Sequence, residues 1–243
     1  GYLPEGAPAY GEMTPAGFLE FIADIRCIPR SQRDARITEV VSKIHLESVL
    51  HQRIETLSKG FKRRVGLAQA ILHDPEILIM DEPTDGLDPN QKHEVRTLIQ
   101  DMAADKAIVI STHILEEVDA VCTKTAIINK GKIIFGGTPR QLSALSNYHD
   151  ALNIIVTPEE AESVSKILQS NPNVSELEEI YSGNEIRITA LLKNKGEVAS
   201  DLQKALNEGG LIPKEYFFEK GRLDQVFRDL TMPKETSGNE KPQ

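Results

Sequence analysis

The sequence predicts an α/β protein in two parts: a helix-wrapped parallel sheet, then a smaller ferredoxin-like α+β domain. Up to about residue 145, short apolar strands alternate with amphipathic helices, which is typical of βαβ units. Beyond residue 147 the order becomes strand, helix, strand, strand, helix, strand, which is the ferredoxin-like order. We therefore predict domains over residues 1–146 and 147–231, with a disordered tail over residues 232–243 because apolar anchors are lacking there.

Capping residues mark the helix starts of the first part. Thr14 and Ser58 can each accept a hydrogen bond from a free N–H group of the first turn, and Pro15 suits the first helical position. In chain order, the predicted elements are strand Tyr2–Leu3, a helix from Pro15, helices Ser31–Leu46 and Lys59–Leu72, strand Ile77–Met80, helix Pro89–Ala104, strand Ala107–Ser111, helix Ile114–Val121, strands Ala126–Asn129 and Lys132–Phe135, and a helix from Pro139.

The second part is predicted from its hydrophobic alternation. Ile186, Ile188 and Ala190 alternate with polar residues, as in a strand with one exposed face. The predicted elements are strand Leu152–Val156, helix Pro158–Ser170, strands Ser175–Tyr181 and Glu185–Leu191, helix Gly196–Glu208, strand Ile212–Glu219 and a short terminal helix around Leu223–Leu230.

Composition limits the classes of partner. The 243 residues carry a net charge of −9, so no nucleic-acid partner is expected. Cys27 and Cys122 lie far apart and follow no metal-binding spacing, which indicates reduced thiols of a cytosolic protein. No apolar run approaches the roughly 18 residues that a membrane-spanning helix needs. Any function at a membrane would therefore require a separate membrane subunit.

The most informative segment is Ile77–Asp88, which reads ILIMDEPTDGLD. Its apolar strand ends at two consecutive acids, Asp81 and Glu82, and ligands of open α/β sheets bind at the carboxyl ends of strands. Asp81 could hold Mg²⁺ through oxygen, and Glu82 could take a proton from an attacking water. This is a Walker B arrangement. Taken alone, the pattern is equally typical of a strand that ends in solvated acids.

Three further motifs lie in register with these acids. Upstream is Leu57-Ser58-Lys59-Gly60-Phe61 at the start of a helix, and downstream are Thr84-Asp85-Gly86-Leu87-Asp88 and then His113 after the next strand. In this order the motifs resemble the signature motif, Walker B, D-loop and H-loop of the ATP-binding cassette of ABC transporters. The resemblance covers Gly1 to about Leu145. It implies a P-loop NTPase-like cassette that binds ATP and Mg²⁺ and hydrolyses ATP.

The resemblance assigns the signature motif to the γ-phosphate of ATP held by an opposite subunit. A helix N-terminus offers free N–H groups to phosphate, Ser58 adds a hydroxyl, and Gly60 permits close backbone approach. Lys59 replaces a usual glycine and Phe61 a usual glutamine, so the motif departs from the family pattern at two positions. An N-capped helix with no ligand is the simpler interpretation of this segment alone.

The other motifs are assigned in the same way. The resemblance implies that His113 contacts the γ-phosphate and keeps the water and Glu82 in place, and that Asp88 communicates across a dimer, although Asp88 also suits the cap of the next helix. Glu5 occupies the Q-loop position, where the family normally has glutamine. This departure puts the glutamine's sensor role in doubt, while the surrounding loop remains the expected link to a membrane partner.

Basic residues follow the signature motif. Lys62, Arg63 and Arg64 add positive charge to the helix. We expect Lys62 and Arg63 to lie on a solvated face with one or two ion pairs, because that is the usual environment of such residues.

The sequence contains no G-x-x-x-x-G-K-[ST] loop, which is the Walker A element of such cassettes. The chain begins with Gly1 at what resembles the strand before the Q-loop. We therefore expect a cassette truncated at its N-terminus before the Q-loop, and a chain that is inactive by itself. The alternative is a natural protein without Walker A.

The predicted function is that of the ATP-hydrolysing subunit of a bacterial ABC exporter. The motifs look most like those of gliding-motility and drug-export cassettes, which pair with separate permeases. The resemblance implies a homodimer or heterodimer of cassettes, peripheral on the cytoplasmic face of the cell membrane. The alternatives are a soluble ABC ATPase of DNA repair or translation, and a regulatory module in which the ferredoxin-like part binds a ligand or partner.

Overall fold

The computed structural model describes residues 1–6, 9–193 and 215–232. The chain divides into two compact units, Gly1–Val121 and Cys122–Gln243. The first unit comprises β1 (Tyr2–Leu3), α1 (Pro15–Ile25), α2 (Arg30–Lys43), α3 (Lys59–Ile71), β2 (Ile77–Asp81), α4 (Pro89–Met102), β3 (Ala107–Ser111) and α5 (Leu115–Val121), with single 3₁₀ turns at Glu47–Val49 and Ile54–Thr56.

Strands β1, β2 and β3 form a parallel sheet in that order. Leu3 pairs with Met80, and Asp81 pairs with Ser111, so the strands end at a common edge. The predicted parallel sheet is thus present in the first unit. The residues that directly follow the three strands are brought to the same side of the sheet.

Helix starts agree with the capping residues of the sequence. Thr14 accepts a hydrogen bond from the N–H of Gly17 at 3.2 Å, and Ser58 accepts one from Phe61 at 3.3 Å. Helix α2 ends at Lys43, three residues before the predicted end. The reason is local, because His45 adopts a left-handed backbone with φ of 55° that cannot continue the helix.

The core of the first unit lies on one face of its sheet. Leu3, Leu78 and Met80 are fully buried there, together with apolar side chains of α1 to α4. The alternate residues Ile79 and Val109 are 48% and 57% exposed. This second face is apolar yet open, although parallel sheets are usually covered on both faces.

The second unit comprises β4 (Thr125–Asn129), β5 (Lys132–Gly137), α6 (Pro139–Ser143), β6 (Leu152–Val156), α7 (Pro158–Ser170), β7 (Val174–Ser182), β8 (Glu185–Leu192), β9 (Glu215–Phe218) and α8 (Leu223–Thr231). Strands β4 and β5 form the predicted hairpin. Lys130 and Gly131 at its turn both have positive φ, of 50° and 74°, as a type I′ turn requires.

Strands β6 to β9 form an antiparallel sheet of order β7-β8-β6-β9. Helix α7 buries Val164 and Leu168 against Ile154 and Ile188 of this sheet. Five elements of the ferredoxin-like order, namely the first strand, the first helix and the three remaining strands, are therefore present among the described residues. The predicted helix Gly196–Glu208, the first residues of the strand predicted from Ile212 and the tail from Pro233 lie outside the described residues.

The geometric boundary between the units lies at residues 121 and 122, earlier than the predicted domain boundary at residue 146. The hairpin β4–β5 pairs only with itself among the described strands. Just after α6, Ser146 accepts a hydrogen bond from the N–H of Arg222 at 3.0 Å, next to α8. Residues 122–146 are therefore grouped with the ferredoxin-like part, while the division by function stays a prediction.

Within the described ranges, no helix combines the length and the apolar character needed to cross a membrane.

Candidate functional site

The predicted metal-binding acid lies at the carboxyl edge of the parallel sheet. Asp81 is the last residue of β2 and is half-buried, and the Ser111 hydroxyl at the end of β3 donates a hydrogen bond to its carboxylate. No group of three or more His, Cys, Asp or Glu poised to hold a metal occurs among the residues that the structure describes. Asp81 and Ser111 together offer two oxygen donors, the ligand type that Mg²⁺ prefers.

Glu82, the next residue, has an unusual backbone. Its φ is +49°, in the left-handed region that disfavours residues with a Cβ, at a cost of roughly 1–2 kcal/mol. Its N–H donates to the carbonyl of Ser111 at 2.9 Å, and its carbonyl accepts from Asp85 at 3.1 Å. The surrounding hydrogen bonds therefore hold this residue in a strained turn directly after the strand.

The Glu82 carboxylate is paired with His113. One oxygen, Oε1, accepts the backbone N–H of His113 at 2.9 Å and its ring Nδ1–H at 2.8 Å. The hydrogen bond and the negative charge of Glu82 raise the pKa of His113 above its ordinary value. The other oxygen, Oε2, has only the hydroxyl of Thr112 nearby among the described residues, at 3.4 Å.

A buried acid lies behind this pair. Glu117, in the first turn of α5, is 1% exposed and accepts a hydrogen bond from Thr112 at 2.9 Å. Burial raises the pKa of the Glu117 carboxyl. This residue was not among the site residues predicted from the sequence. The sequence pattern that could have indicated Glu117 is its position four residues after His113, about one helical turn further along the chain.

The prediction for Arg63 was wrong. Its side chain is only 5% exposed, and its guanidinium donates to the carbonyls of Pro4 at 2.9 Å, of Pro83 at 3.3 Å, and of Asp81 and Glu82. Buried Arg63 therefore holds the end of β1 and the whole turn after β2.

The helical spacing explains the error. Gly60, Arg63 and Leu67 are three and four residues apart, so they share the buried face of α3. Lys62 lies beside that face, is partly exposed, and donates to the carbonyl of Glu55 at 2.9 Å. A charged residue at the core-facing position of an amphipathic helix was the available signal.

Acids surround the buried guanidinium. Burial lowers the pKa of Arg63, and the charges of Asp85, Asp81, Glu82 and Glu5 act in the opposite direction. Arginine remains protonated in proteins, so the cation persists. Glu5 is exposed, directly follows Pro4, and is thereby placed at the carboxyl end of β1 beside this cluster.

The segment predicted to be the signature motif begins α3. Ser58 and Lys59 are exposed, and Gly60 is buried against the side chain of Gln91, where an added Cβ would lie 2.8 Å from both Cδ and Nε2. A Cβ added at Gly86, whose φ is +70°, would lie 3.7 Å from Cδ of Lys59. The N-terminus of α3 therefore packs against the turn that leads into α4.

Asp88 caps α4. Its Oδ1 accepts a hydrogen bond from the N–H of Gln91 at 2.9 Å, and the residue is exposed. The structural role proposed from the sequence is therefore present. The role across a dimer stays a prediction.

The eight predicted site residues fall into two groups. Glu5, Asp81, Glu82 and His113 lie at the carboxyl edge of the parallel sheet. Ser58, Lys59, Gly60 and Asp88 lie at the N-termini of α3 and α4. Arg63 connects the groups, because it belongs to α3 and binds the carbonyls at the sheet edge.

Comparison with known proteins identifies relatives of this arrangement. A family model described as ABC transporter matches residues 3–85. The uncharacterized ABC transporter ATP-binding protein YxlF of Bacillus subtilis (strain 168) is 32% identical over 194 residues, covering 76% of this chain and 65% of that protein. The ABC transporter ATP-binding protein NatA of the same organism is 33% identical over 134 residues, covering 55% of this chain and 54% of that protein. The chain thus spans less than two thirds of the length of these relatives.

A solved structure supports the same grouping. It is described as the structure of the ATP-binding subunit of an ABC transporter, and it superposes with a TM-score of 0.53 at 28% sequence identity. The match covers 59% of this chain and 60% of that one. The mixed α/β fold predicted from the sequence is therefore the fold of such subunits.

Proposed function

Because the chain belongs to the family of ABC transporter ATP-binding proteins, we propose that it serves as the ATP-hydrolysing subunit of a bacterial ABC exporter. Members of this family bind ATP. The observation that carries the proposal is the pairing of Glu82 with His113 beside Asp81 at the sheet edge. In this arrangement Asp81 could bind a metal ion, Glu82 could accept a proton from water, and His113 could donate a hydrogen bond, all at the same edge of the sheet.

The residues present fit Mg²⁺ and phosphate. Asp81 would hold Mg²⁺, directly or through water, and its hydrogen bond from Ser111 limits the orientations of the carboxylate. When bound, Mg²⁺ would neutralise charge on the phosphates. His113 uses Nδ1 for Glu82 and has a side chain that is 71% exposed, so its Nε2 remains available for a phosphate oxygen.

Glu82 is the proposed general base. Oε1 is already engaged by two N–H groups of His113, so Oε2 is the atom left to accept a proton from water. Catalysis of phosphoryl transfer depends chiefly on positioning and charge stabilisation. The bonds around Oε1 provide the positioning, since they fix the carboxylate before any substrate arrives.

The signature segment is proposed to act on a second cassette. Ser58 and Lys59 are exposed at the N-terminus of α3, where a phosphate could reach free N–H groups. The 243 residues contain no Walker A loop, the element that supplies most phosphate contacts in this class. We therefore propose that these 243 residues complete an ATP site only in a dimer with a cassette that carries a Walker A loop.

The proposed partner beyond the dimer is a separate membrane permease. The loop around Glu5 is the proposed contact, because it continues from the carbonyl of Pro4 that Arg63 binds. A permease contact there would be linked through Arg63 to the turn that carries Glu82. This arrangement would place the protein at the cytoplasmic face of the cell membrane.

The proposal is tested by Glu82→Gln in a chimera that joins the Walker A segment of a related cassette to the start of the 243-residue chain. We expect ATP binding to persist and turnover to fall about a hundredfold or more, the size expected for a lost proton acceptor. The measurement is steady-state hydrolysis together with nucleotide affinity. Glu76→Gln, an exposed acid just before β2, is the matched control and should keep wild-type turnover. Near-normal hydrolysis by Glu82→Gln would overturn the assignment.

A further inference from the structure

The buried Glu117 has no part in the mechanism above, yet it contacts the residue between Ser111 and His113. It is 1% exposed, and its Oε1 has no hydrogen-bond partner among the described residues. Its Oε2 accepts the hydroxyl of Thr112 at 2.9 Å. Burying a carboxylate with half of its hydrogen-bonding capacity unused is costly, so the position calls for an explanation.

The explanation lies in the single hydrogen of the Thr112 hydroxyl. The Oγ1 atom is fixed in place because it accepts the N–H of Ile114 at 3.0 Å. Two carboxylate oxygens are near it, Oε2 of Glu117 at 2.9 Å and Oε2 of Glu82 at 3.4 Å. A hydroxyl has one hydrogen to donate, and the shorter contact receives it.

We propose that Glu117 is a positioning residue, which keeps the Thr112 hydroxyl turned away from Glu82 so that Oε2 of Glu82 stays free to accept a proton from water. This rests on the proposed function, in which Glu82 is the base. Without Glu117, the same hydroxyl would donate to Glu82. A carboxylate oxygen that accepts such a bond is less basic and no longer open to a water molecule.

The charges around Glu117 are consistent with this role. Arg96 and Lys92 of α4 face it with positive charge, and Glu82 faces it with negative charge. The negative charges of Glu82, Asp85 and Glu117 in turn raise the pKa of His113. The ring of His113 therefore reports on the hydrogen bonds of Glu82 without any nucleotide being present.

The test is a double-mutant cycle on the 243-residue chain, read out as the pKa of His113 by NMR titration. In Glu117→Gln, the amide can donate to Thr112, so the hydroxyl hydrogen should turn to Glu82, and the pKa of His113 should fall. Removal of the Glu117 charge lowers this pKa as well, so the second mutation separates the two causes. Adding Thr112→Val removes the hydroxyl, and part of the fall should be regained.

Each variant has a defined outcome. Thr112→Val alone should not raise the pKa of His113, because in the wild type the Thr112 hydroxyl does not donate its hydrogen to Glu82. Thr112→Ser keeps the hydroxyl and should behave as wild type. Glu116→Gln is the matched control, since this neighbouring acid is exposed, and it should leave the pKa of His113 unchanged.

Two results would overturn the inference. One is a fall in the pKa of His113 in Glu117→Gln that has the same size with and without the Thr112 hydroxyl. The fall would then be explained by the lost charge of Glu117 alone. The other is a rise in the pKa of His113 in Thr112→Val alone. This variant remains measurable even where Glu117→Gln does not fold. Neither result depends on hydrolysis, so failure here is distinguishable from failure of Glu82 as the base, which the turnover of Glu82→Gln decides.

Discussion

At the scale of single residues, the site is held by its main chain as much as by its side chains. Arg63 binds four carbonyl groups, and two of them belong to Asp81 and Glu82. The N–H of His113 binds Glu82 alongside its imidazole. The positions of the reactive groups therefore depend on buried residues that need not touch a substrate.

Arg63→Met tests that dependence. Methionine fills similar space but leaves the carbonyls without a donor, so the free energy of unfolding should fall by about 3 kcal/mol, the upper range for an unpaired buried polar group. Urea denaturation of the 243-residue chain gives the measurement. Lys62→Met, at the partly exposed neighbour, should change the stability by no more than about 0.5 kcal/mol. Equal effects of the two variants would show that the carbonyl contacts contribute little.

Glu117→Gln is expected to change how stability depends on pH. Burial raises the pKa of Glu117 in the folded state, so that state binds more protons than the unfolded chain above the ordinary glutamate pKa. The wild type should therefore lose stability as the pH rises through the interval between the two pKa values. Glu117→Gln has no such group. From about pH 4.5 upward, the unfolding free energy of the variant should therefore rise relative to that of the wild type. Glu116→Gln should show no comparable trend.

At the scale of elements, the N-termini of α3 and α4 pack against each other. Gly60 contacts the amide end of Gln91, and Lys59 lies beside Gly86. Each helix is capped by its own side chain, Ser58 or Asp88. The glycine at position 60 therefore brings two helix ends together while leaving the outer side of α3 open.

Gly60→Ala separates packing from function. An added Cβ would overlap the amide end of Gln91, which is the flexible end of a long side chain and can move aside. Alanine favours a helix by about 1 kcal/mol over glycine, so thermal stability should be kept. We expect hydrolysis to be lost when this variant is mixed with an intact cassette whose own signature serine is mutated, because the Gln91 side chain that the Cβ displaces lies at the N-terminus of α3, where the phosphate is proposed to bind. Gln91→Ala should keep both properties. Hydrolysis by Gly60→Ala at the wild-type rate would contradict the signature assignment.

Local signals predicted the elements well, and tertiary relations were harder to predict. The caps at Thr14, Ser58 and Asp88 and the apolar strand before Asp81 are contained within a few consecutive residues, so the sequence was sufficient. The burial of Arg63 depends on carbonyls nearly sixty residues away at Pro4. The contact of Glu117 with Thr112 likewise requires knowing that the first turn of α5 lies within hydrogen-bonding distance of the residue after β3.

At the scale of the whole molecule, the chain consists of two units whose boundary precedes the change in element order. The predicted domain boundary lies between residues 146 and 147, but Ser146 and Ala151 on either side of it are buried. The N–H of Asp150 donates to the carbonyl of Glu219 at 2.8 Å, and the N–H of Glu219 donates to Ala151 at 2.9 Å. The segment is therefore part of the second unit.

Two fragments test this boundary. Residues 122–243 retain the hydrogen bonds of Ser146 with Arg222, just before α8, and with Gln225 in α8, whereas residues 147–243 lose them. We expect the longer fragment to show the higher melting temperature by circular dichroism. Ser146→Ala in the longer fragment should lower its melting temperature part of the way, since the hydroxyl accepts the N–H groups of Tyr148 and Arg222. Equal melting of both fragments would place the boundary at residue 146 instead.

The left-handed turn at Glu82 affects how mutants at this position should be interpreted. Any replacement changes both the carboxylate and the backbone preference, and these two changes need not have the same sign. Glycine relaxes the turn and asparagine tolerates it, whereas valine or isoleucine would strain it further. A loss of activity in a β-branched variant would therefore mix chemistry with misfolding. A comparison of Glu82→Gln with Glu82→Gly would separate the loss of the carboxylate from the change in backbone strain. A relative with glycine at this position would be expected to keep the turn without the catalytic carboxylate.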